Sequence, residues 1–129
     1  MNERRARVLT FCCIAAVYLA LPNLYPRFDS PNEYSRLRLT RALVEHRSFQ
    51  IDPYLRNPSP QTVSDVAFYG GHFYSDKAAG MSLLAVPAVA IVHAIAPDAS
   101  MRTMLVAARL STVIIPALVA LWFVLKHSR

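Results

Sequence analysis

Two short runs hold the side chains best suited to chemistry: a carboxylate in Ser30-Pro31-Asn32-Glu33 and an ammonium in Ser75-Asp76-Lys77. Ser30 as N-cap, Pro31 at the first helical position and Glu33 three residues past the cap predict a helix start, with Glu33 as the capping-box partner. A carboxylate in a first helical turn stays ionised beside the positive end of the helix dipole. At a membrane surface it could serve as a general base. The same position suits a plain cap, and spacing alone favours the cap. Lys77 stands one residue before an apolar stretch, at the depth of lipid phosphates. A compact ammonium there can hold a lipid-linked phosphate and offset charge on a leaving group. A snorkelling anchor at a helix end carries the same signature, and position alone favours the anchor.

Other polar residues are less telling. Arg109 follows Arg102 by seven residues and so lies near the same helix face, two turns into an apolar stretch. An arginine at that depth snorkels or pairs between helices. His93 suits a hydrogen bond between helices, whereas His46 and His72 have no partner at metal-ligand spacing. No phosphate-cradling glycine loop, nucleophile elbow or metalloprotease motif is present, and neither a metal nor a cofactor is implied. Cys12 and Cys13 are adjacent, rarely bridge in that arrangement, and read as small apolar fillers.

The elements that must carry these residues follow from composition. The chain has 129 residues, 54% hydrophobic and only 17% charged, against about 25% charged in a soluble domain. Three stretches account for the deficit: Val8–Tyr25, Ala78–Pro97 and Thr103–Leu125. Each approaches the roughly 20 residues that cross a bilayer. The expected fold class is therefore an α-helical integral membrane protein with three transmembrane helices. The net charge of +6 is scattered rather than striped, which excludes a nucleic-acid reader and suits anionic headgroups. Arg4, Arg5 and Arg7 before the first stretch fit either a signal peptide or a retained span. No small-x-small cleavage site follows, which favours retention.

The expected layout is a basic cytoplasmic start (1–7), a first span (8–25), a long loop (26–77), a second span (78–97), a cytoplasmic turn (98–102), a third span (103–125) and a tail (126–129). Pro87 and Pro116 fall mid-span, where proline removes a hydrogen bond and permits a kink. The loop holds an amphipathic helix over about 31–47, with Leu37, Leu39, Thr40, Leu43 and Val44 on one broad arc. That arc rests on the bilayer surface or on the spans beneath it. Ser48–Ile51 has extended character. Aromatic-rich runs around Gly70-Gly71 predict a β-hairpin over about 66–75. Charge alone leaves the orientation nearly balanced, and the dense N-terminal arginines tip it towards a cytoplasmic start. Arg109 then points to the cytoplasmic side, away from Glu33.

The order of these features carries a resemblance. A basic start and first span lead into Pro31-Asn32-Glu33-Tyr34-Ser35-Arg36-Leu37, then Ser48-Phe49-Gln50-Ile51-Asp52, then Gly71-His72-Phe73-Tyr74-Ser75-Asp76-Lys77-Ala78-Ala79-Gly80, and last Ala108-Arg109-Leu110-Ser111. This resembles the N-terminal part of bacterial membrane glycosyltransferases of the GT-C superfamily, in the protein O-mannosyltransferase and aminoarabinose transferase group. The resemblance implies a multi-span enzyme of the bacterial inner membrane that takes sugar from a polyprenyl-phosphate donor, with the long loop extracytoplasmic. It implies Glu33 as the catalytic acid-base residue, Lys77 as the ligand of the donor phosphate with Asp76 and Asn32 beside it, and a structural Arg109. Asn32 stands where such enzymes carry their first acid, and being neutral it takes up no proton. Ala79 replaces a proline before Gly80. Such enzymes have many more spans, so the chain is expected to be an N-terminal module without transfer activity of its own. The other expectation is a non-catalytic three-span protein that binds lipid or a partner subunit.

Overall fold

The computed structural model describes residues 3–24, 30–55 and 65–127, and it is mostly helical. Helix α1 is Glu3–Leu24, α2 is Pro31–Arg41, α3 is Gly80–Ile95, α4 is Met101–Arg109 and α5 is Ile115–His127. Strands β1 (Val66–Tyr69) and β2 (His72–Ser75) form the expected hairpin. Tyr69 pairs with His72, leaving Gly70 and Gly71 as a two-residue loop. Both glycines have positive φ, +59° and +86°, the backbone that a type I′ turn requires and that other residues resist.

Helix α2 starts where the sequence places it. Ser30 is extended (φ −93°, ψ 109°) and Pro31 opens the first turn. The capping box does not form: Ser30 makes no side-chain cap bond, and the Glu33 carboxylate is used elsewhere. After Arg41 the helix widens into π turns over Ala42–His46. Arg47 then takes a left-handed conformation, φ 52°, and Ser48 N donates to Ala42 O at 3.2 Å, which closes the end. The expected helix to residue 47 thus ends one residue early. Past it, Gln50 bridges to Tyr74 and Ile51 N donates to Phe73 O at 2.9 Å, which ties the segment to β2. The extended run expected over Ser48–Ile51 is replaced by bends at residues 47–49 and by φ −107°, ψ 9° at Ile51.

The broad apolar arc of α2 divides between two cores. Leu37, with Val44 at its margin, packs against Ala85 and Val89 of α3 and Met104, Leu105 and Ala108 of α4. Leu39, Ala42 and Leu43 pack instead against Ile51 and Phe73. Helix α2 therefore lies between the α3–α4 hairpin and the β-hairpin, joined to each by apolar contact. Three buried hydroxyls fit where the backbones approach. Ser82 Oγ donates to Arg36 O at 3.0 Å, Thr40 Oγ1 donates to the same oxygen at 2.9 Å, and Ser35 is satisfied as described below.

Helices α4 and α5 are halves of one helix, Met101–His127, 27 residues long. Ser100 caps it by accepting from Thr103 N at 3.2 Å. Over Leu110–Ile114 the turns widen to π geometry. Pro116 follows at once, and a wider preceding turn relieves its clash with the carbonyl four residues back. Helix α1 packs on α5, with the Phe11 and Trp122 rings edge to face at 5.6 Å.

Three spans do not stand. Among the described residues one helix, Met101–His127, is long and apolar enough to cross a membrane, and the expected third span lies within it. Helix α3, the expected second span, has 16 residues. That is about 24 Å, short of a hydrocarbon core of roughly 30 Å.

Candidate functional site

The first polar node joins α2 to α4. Arg109 Nη2 donates to both Glu33 oxygens at 2.7 Å, and its Nε donates to Oε1 at 3.2 Å. The guanidinium fork matches the carboxylate in a bidentate pair, and each side chain is about one-third exposed, 27% for Arg109 and 32% for Glu33. The expectation that Arg109 points away from Glu33 is thereby corrected. The hairpin of α3 and α4 turns the Arg109 end of α4 towards the start of α2, 76 residues earlier. The pair borders a cleft of about 100 Å³ between α2, α3 and α4, whose lining includes Arg36, Ser82 and Thr112 as well as Met81, Leu105 and Val113.

The second node holds Lys77. Its Nζ lies 3.1 Å from Asp65 Oδ1 and 3.3 Å from Asp76 Oδ2. The Asp65 bond, ahead of that to Asp76, raises the Lys77 pKa above its ordinary value. Asp65 takes a left-handed backbone, φ 59°, a conformation that aspartate tolerates better than most residues. A chain of hydroxyls ties this node to α2. Lys77 N donates to Ser75 Oγ at 3.3 Å, Ser75 and Ser35 share a hydrogen bond of 2.7 Å, and Ser35 Oγ donates to Asp65 O at 2.6 Å. Ser35 is fully buried and two residues past Glu33. Glu33 and Lys77 do not touch, but both are held to one frame through Ser35. Asn32 is exposed.

The third node lies further along α2. Arg41 Nε donates to Glu45 Oε1 at 2.7 Å, Nη2 donates to Oε2 at 3.2 Å, and Tyr54 OH donates to Oε2 at 2.8 Å. The Arg41 guanidinium covers the Tyr54 ring at 4.6 Å. His93 Nδ1, buried and without a hydrogen bond, stands 4.0 Å from Glu45 Oε1. Burial opposes the charge on Glu45, yet the bonds from Arg41 and Tyr54 outweigh it and hold the carboxyl below its usual range. Burial, then the bond to Glu45, pushes the Tyr54 phenol up. The expected hydrogen bond of His93 between helices is replaced by this longer approach. His72 Nδ1 is 3.5 Å from Asp52 Oδ2, and the His46 ring leans on Tyr54 at 6.0 Å.

Sequence reasoning missed Asp65 and the Arg41–Glu45–Tyr54 group. The spacing of Arg41 and Glu45, one turn apart on a helix, was a usable signal for their pairing. Nothing local marks Asp65 or Tyr54 as partners. Chemically, the first node offers an anchored carboxylate over a small amphipathic cleft, and the second an ammonium already matched by two carboxylates. No protein-family model, curated protein or solved structure matches the chain. The site must therefore be read from its own geometry.

Proposed function

We propose that the chain is the donor-side, N-terminal module of a membrane glycosyltransferase that uses a polyprenyl-phosphate sugar, seated in a bacterial inner membrane. One observation carries the reading. The Ser35–Ser75–Asp65 hydroxyl chain fixes the first turn of α2, with Glu33, to the segment that presents Lys77. A base and a phosphate ligand for one lipid-linked substrate need such a shared frame, because misplacement by an ångström costs much of the rate. Lys77 would meet the donor phosphate after exchanging a carboxylate partner for it. Glu33 would act as base on an acceptor hydroxyl once Arg109 turns to substrate charge.

The test is binding of polyprenyl phosphate by the full chain in lipid nanodiscs, with the neutral polyprenol as control. The expected result is selective capture of the phosphate, weakened about tenfold by Lys77→Ala, as loss of one charge-assisted contact implies. Equal capture of the neutral alcohol, or no change in a folded Lys77→Ala chain, contradicts the reading.

A second reading, a non-catalytic membrane module that binds lipid or a partner subunit, is favoured by the closure of both Glu33 oxygens on Arg109. Under it Glu33→Gln lowers stability and leaves lipid selectivity unchanged.

A further inference from the structure

We infer that the chain crosses the membrane twice, through α1 and the α5 end of the long Met101–His127 helix. Helix α2, the β-hairpin, α3, the turn after α3, and α4, which packs on α2 and α3, then form one cap on the extracytoplasmic side. The inference rests on the membrane reading above and concerns which residues face which compartment.

The path of α2 decides against a crossing by α3. Near the start of α3, Ser82 bonds to Arg36 O. Near its end, Val92 packs in the same core as Val44, and His93 stands 4.0 Å from Glu45. Beyond it, Arg41 Nη1 is 3.9 Å from Met101 Sδ, past the turn. So α2, with Glu33, Arg36, Arg38, Arg41 and Glu45, runs beside α3 nearly from end to end. If α3 crossed the bilayer, this charged helix would cross with it, and Arg41 would reach the compartment opposite Glu33. A helix this charged does not lie in hydrocarbon. With 16 residues, α3 is also too short to span untilted.

Among the described residues Met101–His127 alone is plainly long and apolar enough to cross. Helix α1 joins it as the second span: its 22 residues make about 33 Å of helix, with no Asp, Glu, Lys or Arg from Val8 to Leu24. The pair fits a two-span hairpin. Phe11 of α1 is level with Trp122 of α5. Leu24 is 13 residues after Phe11, and Arg109 is 13 residues before Trp122. Each interval is about 20 Å of helix. Antiparallel pairing therefore brings the end of α1 level with Arg109, where α2 begins through Glu33. Parallel pairing would place it about 39 Å away along the axis. In the antiparallel arrangement Arg5 and Arg7 share an end with Lys126. The intervening segment exceeds the roughly 60 residues beyond which loop arginines stop governing orientation, so these terminal cations set the cytoplasmic side. The Asp98–Ser100 turn then faces the same compartment as Glu33, Glu45 and Lys77, whereas the three-span layout puts that turn in the cytoplasm.

The experiment uses the full chain in bacterial cells. A fusion after residue 129 carries either green fluorescent protein or alkaline phosphatase. Asp98→Cys and Tyr69→Cys, each in a Cys12→Ser/Cys13→Ser background, are exposed to an impermeant maleimide in spheroplasts. We expect a fluorescent, phosphatase-inactive fusion and labelling of both cysteines without permeabilisation. An active phosphatase, or an Asp98→Cys that labels only after permeabilisation, overturns the two-span topology while leaving the membrane reading intact. Release of the chain by alkaline carbonate overturns both.

Discussion

The cap built on α2 and the pair made by α1 and α5 are stabilised in different ways. Around α2, two apolar cores alternate with three polar nodes, and Ser35, Thr40 and Ser82 are almost wholly buried. Helix α5 buries no residue at all, and Val119, Trp122, Phe123 and Val124 are each at least half exposed. Its joint with α1 is marked by one ring contact. The cap has an interior and bonds its buried hydroxyls internally, although Arg38 Nε, Asp52 Oδ2 and His93 Nδ1 are buried there without a hydrogen bond. The helix pair leaves an apolar surface of the kind that needs lipid or another helix to cover it. On the proposed membrane reading one chain thus meets two solvents, and the Glu33–Arg109 pair sits where the two halves join.

That contrast can be broken by mutation. Met104 is fully buried where α2, α3 and α4 meet, so Met104→Ala should cost the cap about 2–5 kcal/mol, read by denaturant unfolding in micelles. Trp122→Ala, on a half-exposed ring, should change the same transition by less than about 0.5 kcal/mol. Comparable losses at the two positions would erase the distinction between the halves.

A smaller effect sharpens it through pH. The Glu45 carboxyl titrates below its ordinary value in the fold. Its stabilising contribution is therefore present above the unfolded pKa, near about 4.3, and is lost as pH falls through the lowered folded value. Lys77 and Tyr54 are shifted upwards. Their contributions are present below about pH 10 and are lost as pH rises through the folded values. Cap stability should fall at both extremes, with Glu45→Gln flattening the acid limb and Asp65→Asn the alkaline one. Unfolding profiles that these substitutions leave unchanged would remove the nodes from the account.

Local structure was legible in the sequence where one backbone rule decides it. Gly70-Gly71 between aromatic runs could only turn tightly, and Ser30-Pro31 could only begin a helix. The partners were not legible. Glu33 looked like a cap because its helix start explains it locally, whereas its carboxylate is claimed by a residue 76 positions away. The apolar arc of α2 was visible, but its division between two cores depends on neighbours that periodicity does not name. The second stretch reads as a span because an apolar run of about that length looks alike in lipid and against a packed helix. The 16-residue length of α3 and the charged α2 along it are what the sequence does not display.

The join between the halves is tested most directly by reversing its charges. Glu33→Arg and Arg109→Glu should each loosen the cap, since each leaves two like charges facing at the cleft. The double variant Glu33→Arg/Arg109→Glu should recover most of the lost unfolding midpoint. A double variant no more stable than the worse single one would contradict the pairing on which the account depends.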